Sequence, residues 1–85
     1  PGSLGVVVKN RSTGMPMGDV TVKIKGPGAC TEEGKTDSSG VRTFDNVREG
    51  AYTVTAEKGR FFIGTGNATV TAGSIGVTIL LDPVQ

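Results

Sequence analysis

The chain has 85 residues, enough for one small domain, and it contains 14 glycines but neither tryptophan nor histidine. Nine basic and eight acidic side chains nearly cancel, and because no basic block is interleaved with aromatic residues, we expect no nucleic-acid partner. Apolar runs of about four residues are far shorter than the roughly 18 needed to span a bilayer, so we expect no membrane insertion. Short Val, Ile and Thr runs between glycine turns favour an all-β sandwich.

The single cysteine, Cys30, excludes an internal disulfide. Zinc sites need several Cys or His ligands at set spacings, so we expect no metal and no other cofactor. No histidine is available to activate Cys30, and this favours an incidental loop thiol. The first residues, Pro-Gly-Ser, are typical of a cloning remnant. We therefore predict a single sandwich domain over residues 4–83, preceded by residues 1–3 and followed by a tail at 84–85.

The first two strands are predicted from short extended runs. Residues 4–9, "LGVVVK", form the first strand, but three consecutive valines leave open whether its even-numbered or its odd-numbered residues face inward. Residues 19–25, "DVTVKIK", alternate with period two, which is typical of a half-buried strand. The next segment, "GPGACTEEG", is predicted to be a loop because Gly26, Pro27 and Gly28 cannot continue a ladder.

The segment "KTDSSGVRTF" predicts a short strand, a tight turn and a second short strand. Asp37 is expected to accept hydrogen bonds from backbone N–H groups just downstream, and Gly40 to adopt a positive φ. Phe44 is expected in the core. The following "DNVREG" is predicted to turn again, with Val47 inserted at the sandwich edge.

Three further segments complete the predicted strands. Residues 51–58, "AYTVTAEK", form the clearest one, with every second residue from Tyr52 facing inward. A loop or bend follows around Phe61 and Phe62. A strand then buries Ala68 and Val70. A last strand places four apolar side chains on one face: Ile75, Val77, Ile79 and Leu81. Together these segments predict an all-β fold, a seven-stranded β-sandwich of Greek-key type.

Three stretches, "GVVVKNRSTGMPMGDVTV", "TDSSGVRTFDNV" and "EGAYTVTA", together resemble the carboxypeptidase regulatory-like domains and the wider transthyretin-like, or prealbumin-like, group of sandwiches. The resemblance covers nearly the whole chain. It implies a non-catalytic module of a larger secreted, cell-surface or type VI secretion spike protein, bacterial adhesins included. Its partner would be a protein, either another domain of the parent chain or a delivered effector. The sequence leaves the oligomeric state open; we expect a monomer, with weak edge-to-edge association as the alternative.

The CnaB-type branch of this group forms an isopeptide bond between a lysine on the first strand and an Asn or Asp on the last. The resemblance places Lys9 and Asp82 at or near those positions. The same alignment puts Ala56 where the proton-shuttling glutamate is expected, and Glu57 is one residue away, hence on the opposite face of its strand. We therefore expect Lys9 and Asp82 to be surface charges, with a self-crosslinking domain as the less favoured alternative.

Aromatic residues give the candidate binding site. Phe61 and Phe62 are adjacent, so on an extended chain one of them could face outward and contact a protein or stack on a sugar. Tyr52 alternates inward with its strand. A calcium loop built from Asp37, Glu32 and Glu33 lacks the usual ligand spacing, and this favours a plain turn.

Without histidine, neither a Ser–His nor a Cys–His pair can form, and the acidic residues are scattered over turns. We therefore expect no catalytic residues and no enzymatic activity. The function predicted from the sequence is a protein-interaction or spacer module, and a carbohydrate-binding accessory domain is the alternative. The sequence does not identify the parent protein or the partner.

Overall fold

The computed structural model describes residues 2–29 and 31–84, with nothing described of the Ala29 side chain. Cys30, which is predicted to be an incidental loop thiol, lies outside the described residues, as do Pro1 and Gln85. The described chain forms seven strands and one short 3-10 turn, Pro27–Ala29. The strands are β1 (Gly2–Asn10), β2 (Thr21–Lys25), β3 (Thr31–Lys35), β4 (Val41–Val47), β5 (Gly50–Glu57), β6 (Gly64–Val70) and β7 (Gly73–Leu81).

The strands form two packed sheets. One has three strands in the order β4-β1-β7, and the other has four in the order β3-β2-β5-β6. β1 and β7 pair in parallel along their whole length, whereas the other neighbours are antiparallel. This arrangement confirms the predicted all-β sandwich of seven strands.

Alternating side chains from both sheets form the core between them. In β1 the even-numbered residues Leu4, Val6 and Val8 are fully buried, which settles the choice that the valine run left open. The other parity would have turned Lys9 toward the apolar interior, where an unpaired charge is costly. The predicted inward faces of β2 and β5 are buried, as are Phe44, Val47, Val70, Ile79 and Leu81. Ala68, Ile75 and Val77 are half-buried and pack against this core.

Several strand boundaries differ from the prediction, including that of β2, which begins at Thr21 rather than at residue 19. β1 begins at Gly2, two residues earlier than expected. β3 occupies Thr31–Lys35, within the stretch that had been assigned largely to a loop. Four of its five residues are exposed, so it shows no apolar alternation that could reveal it. It exists because its backbone pairs with β2 in register from Thr21↔Lys35 to Lys25↔Thr31.

The turn between β3 and β4 has the predicted chemistry. The Asp37 carboxylate oxygen Oδ1 accepts hydrogen bonds from the N–H groups of Ser39, at 2.9 Å, and Val41, at 3.1 Å. Gly40 has φ 76°. A Cβ there would lie 2.7 Å from the carbonyl oxygen of Val8. The turn therefore packs directly on β1 and requires glycine for both reasons.

Arg42 closes the side of the sandwich where β3 and β4 meet. It lies on the same face of β4 as Phe44, and its guanidinium carbon is 5.2 Å from the centre of the Phe44 ring. The guanidinium also covers Gly34 of β3, where an added Cβ would collide with it. An arginine thus takes an inward position on an edge strand, with its aliphatic stem and flat head group packed against apolar surface.

Candidate functional site

An open groove of about 680 Å³ lies at one end of the four-stranded sheet. One wall is the start of β2, and the other is the end of β5 with the loop that follows it. The lining residues are Asp19, Thr21, Glu57, Lys58, Gly59, Arg60, Phe61 and Ile63. Phe61, a residue that the sequence analysis selected, is therefore part of the groove.

The loop after β5 is a tight turn fastened to the end of the chain. The N–H of Phe61 donates to the carbonyl of Lys58 at 3.1 Å, which closes the turn. Phe62 N–H donates to the carbonyl of Asp82 at 2.9 Å, and Val84 N–H donates to the carbonyl of Arg60 at 2.8 Å. These backbone bonds hold the loop in one conformation, so its side chains are presented from a fixed support.

Two residues that line the groove have left-handed backbone conformations. Arg60 has φ 71° and Asp19 has φ 59°. Aspartate tolerates this region because its short polar side chain can bond locally, but arginine has no such compensation. No local sequence signal predicts the Arg60 conformation, because arginine is not a residue that favours a positive φ.

Phe61 and Phe62 point to different sides of the loop. Phe61 is half-buried and packs against the core. Phe62 has 60% of its surface exposed, and Ile63 has 61%. We call residues 61–63 the apolar segment. Large exposed apolar side chains on a rigid loop are typical of a contact surface for another molecule.

The charges around the groove are of both signs. The Lys58 ammonium donates to the carbonyl of Gly18 at 3.0 Å, which ties the loop to the opposite wall. Asp19 lies 3.5 Å from the Lys35 ammonium. Glu57 and Arg60 are exposed on the same rim. A ligand seated here would meet an apolar strip with mixed charges beside it.

The isopeptide candidates lie on the other sheet. Lys9 belongs to the outward-facing set of β1 and is half-buried, with Leu80 as its partner on β7. The carboxylate of Asp82 pairs with the guanidinium of Arg11, at 2.8 Å from Nε, rather than with Lys9. Ala56, which the resemblance to CnaB-type domains aligns with their acid, is fully buried, and Glu57 is exposed on the four-stranded sheet.

The remaining candidates from the sequence have structural roles. Tyr52 is buried, and its hydroxyl donates to the carbonyl of Arg48 at 2.7 Å. Asp37 serves the turn described above, and Glu33 lies 3.8 Å from the Lys23 ammonium. Within residues 2–29 and 31–84, no three His, Cys, Asp or Glu side chains are grouped so as to hold a metal ion. No helix in these ranges combines the length and apolar character needed to cross a bilayer.

Neither a protein-family model nor a curated protein sequence matches the chain. Solved structures do. The 5-hydroxyisourate hydrolase of Klebsiella pneumoniae aligns with a TM-score of 0.77 and 21% identity, over 100% of this chain and 93% of its own. The chain has a transthyretin-like β-sandwich fold. Its carboxypeptidase regulatory-like subtype stays a prediction.

Two other structural matches come from longer chains. A candidate carbohydrate-binding protein from Bacteroides uniformis aligns with a TM-score of 0.75 and 18% identity, over 96% of this chain and 41% of its own. A chain of the type II cohesin–X-dockerin complex of Acetivibrio cellulolyticus aligns at 0.67 and 24% identity, over 95% and 57%. This chain thus spans less than two thirds of each. An enzyme, a candidate sugar binder and a protein complex share the fold, so the fold alone does not assign a function.

Proposed function

We propose that this transthyretin-like domain is a non-catalytic protein-interaction or spacer module of a larger secreted, cell-surface or type VI secretion spike protein. Its contact surface would be the apolar segment, residues 61–63, together with the groove beside it. The observation that carries the proposal is the exposure of Phe62 and Ile63, at 60% and 61%, on a loop fixed by backbone hydrogen bonds to residues 82 and 84.

The geometry of the loop favours binding to a protein. Because the loop is already held in place, little conformational entropy would be lost when a partner docks. Aromatic side chains surrounded by polar groups are typical centres of protein interfaces. Glu57 and Arg60 would supply that polar surround, since both lie on the groove rim.

The proposed absence of catalysis is supported by the chemistry of the groove. The chain has no histidine. Of the groove cations, Lys58 is already bonded to the carbonyl of Gly18. The likeness to 5-hydroxyisourate hydrolase provides a direct test. We expect the domain to leave the spontaneous rate of 5-hydroxyisourate hydrolysis unchanged, and an acceleration proportional to protein concentration would contradict the proposal.

The interaction itself is tested by crosslinking from the apolar segment. A photoreactive amino acid at position 62 of the full-length parent protein should capture one defined partner, whose affinity is then measured with purified components. Phe62→Ala should weaken binding by roughly 5- to 30-fold, the range expected for an interface anchor. Met15→Ala is the matched control, because Met15 is 63% exposed but lies on the β1–β2 loop. Equal losses in both variants would refute the assignment of the surface.

Carbohydrate binding is a second candidate function, and two observations favour it. Phe62 offers an exposed ring, and the fold matches a candidate carbohydrate-binding protein. Tyr52, by contrast, is buried and cannot contribute a second platform. Binding on a glycan array that disappears in Phe62→Ala would support this candidate. Unchanged array binding in that variant would show that the Phe62 ring does not contact the sugar.

The self-crosslinking alternative keeps Lys9 and Asp82 as its candidate pair. A Lys–Asp isopeptide bond releases one water, so the intact mass would fall by about 18 Da. We expect no such loss, because Asp82 pairs with Arg11 and Ala56 supplies no acid. A mass lower by one water, abolished by Lys9→Ala, would show that the bond forms.

A further inference from the structure

The three-stranded sheet has an outer face, directed away from the core, that carries few charges. This outer face consists of the outward residues of β4, β1 and β7, which are all described, and two of these are charged, Lys9 and Asp45. The corresponding face of the four-stranded sheet carries five charged side chains: Lys23, Lys25, Glu33, Lys35 and Glu57. The outer face of the three-stranded sheet is therefore the one that can be covered with less desolvation of charge.

Two glycines lie side by side in the middle of this outer face, and no contact among the described residues requires them. Gly5 of β1 is paired with Gly76 of β7. A Cβ added to either would have no neighbour closer than 3.9 Å, and neither glycine has a positive φ. Glycine weakens a strand, and within a strand it often marks a place where another molecule approaches closely. The glycine pair forms a shallow hollow that is open to solvent.

Side-chain size differs between the two halves of the outer face. The half around the glycine pair, which we call the hollow half, bears small residues on β1 and β7: Ser3, Gly5, Ser74 and Gly76. The other half, which we call the raised half, bears larger ones: Val7, Lys9, Thr78 and Leu80. Because β1 and β7 pair in register, small residues lie beside small ones and large beside large. The outer face therefore has the shape of a single step.

We propose that the outer face binds the outer face of a second copy of this chain, with the strands of the two copies antiparallel. The two-fold axis lies between the sheets, perpendicular to the strands, and crosses β1 at Val6. It places Val7 of one copy over Gly5 of the other, and Leu80 over Ser74. Each raised half fills the hollow half of the other copy, as side chains interdigitate between packed sheets about 10 Å apart. This inference goes beyond the proposed function and does not depend on it.

The charges of the outer face also complement those of a second copy. Lys9 belongs to the raised half, whereas Asp45 lies beside the hollow half, where its carboxylate accepts a hydrogen bond from the Ser3 hydroxyl at 3.1 Å. Within residues 2–29 and 31–84, neither charge has an ion-pair partner. The two-fold axis brings Lys9 of each copy to the Ser3 row of the other, beside Asp45. Two symmetric ion pairs result, and this match of charge and shape is what selects a second copy as the partner.

The interface is small. Three strands and seven residues cover an area of about 14 Å by 23 Å on each copy. The area buried is therefore well below the roughly 1,200–2,000 Å² of a standard interface. The dimer is weak, and it forms at high protein concentration or where copies of the parent protein are held close together.

The experiment is sedimentation equilibrium of the 85-residue chain, from on the order of 10 µM to 1 mM, with a reductant that keeps Cys30 from linking copies. The mass of the wild-type protein should rise from 8.7 kDa toward twice that value. Lys9→Glu and Asp45→Lys should each lower the association constant by about tenfold, because each turns two attractions into two repulsions. The double variant should return to within about threefold of wild type. Lys25→Glu is the matched control, an exposed lysine on the other sheet.

Gly76→Val tests the hollow separately from the charges. Valine favours strands and enters open space here, so the melting temperature should not fall, whereas the filled hollow should lower the association constant by about tenfold or more. Loss of association in this variant, with recovery in the double charge variant, would support the proposal. A wild-type protein that stays monomeric throughout would overturn it. So would a Gly76→Val variant that associates like wild type, a double variant that does not recover, or a loss in Lys25→Glu equal to that in Lys9→Glu.

Discussion

Replacing Thr36 by valine should strongly destabilise the fold, although the two side chains have nearly the same shape. Thr36 is buried at the end of β3. Its hydroxyl donates to the carbonyl of Met17 at 2.7 Å and accepts from the N–H of Val20 at 3.0 Å. Its own backbone N–H donates to the carbonyl of Val20, at 3.0 Å. One side chain therefore satisfies two backbone groups of the segment leading into β2.

The magnitude follows from those two groups. Valine would leave the Met17 carbonyl and the Val20 N–H without this partner, and each buried unsatisfied group costs about 1–3 kcal/mol. We expect a loss of about 2–4 kcal/mol in the free energy of unfolding. A domain of this size has roughly 4–13 kcal/mol in total. The melting temperature should fall by about 8–32 °C, given 4–8 °C per kcal/mol.

The measurement is urea unfolding at equilibrium, followed by circular dichroism, for wild type, Thr36→Val and Thr36→Ser. Serine keeps the hydroxyl and loses only a methyl group, so its loss should stay near 1 kcal/mol. An unchanged m-value would show that the variants differ in stability rather than in the extent of unfolding. If valine costs less than serine, the hydroxyl is not what holds this segment, and the reasoning is refuted.

The remaining predictions concern the groove loop and the aromatic residues. Arg60→Gly should raise the free energy of unfolding by roughly 0.5–1 kcal/mol, because glycine adopts φ 71° without steric cost; a decrease would show that the arginine side chain stabilises the loop. Tyr52→Phe should lower the free energy of unfolding by about 1 kcal/mol, measured by thermal unfolding, because it removes the hydrogen bond to the Arg48 carbonyl. A change near zero would show that water replaces the tyrosine hydroxyl as the partner of that carbonyl. Phe61→Ala should cost at least about 1 kcal/mol and Phe62→Ala almost nothing, since only Phe61 packs on the core; equal losses in urea unfolding would contradict their different burial.

Part of the candidate site could be predicted from the sequence. Adjacent Phe61 and Phe62 had to face different sides of an extended segment, and the structure shows one half-buried and one exposed. Which of the two would face out depended on the contact between the loop and residues 82–84, which is distant along the chain. The groove is lined by residues of β2, β5 and the loop after β5, and no local sequence pattern predicts that these segments lie side by side.

The sequence by itself determined the class of fold and most of the core. Period-two alternation in "DVTVKIK" and "AYTVTAEK" assigns the inward faces, and "TDSSG" specifies a turn through Asp37 and Gly40. These are local signals, because side-chain parity and backbone φ preferences act over a few residues. The tertiary structure alone decided the rest. β3 exists because β2 offers it a pairing edge, and Arg42 faces inward because Gly34 leaves room across the sandwich. Each of these depends on which strands become neighbours, and that is set by packing between segments far apart in the chain.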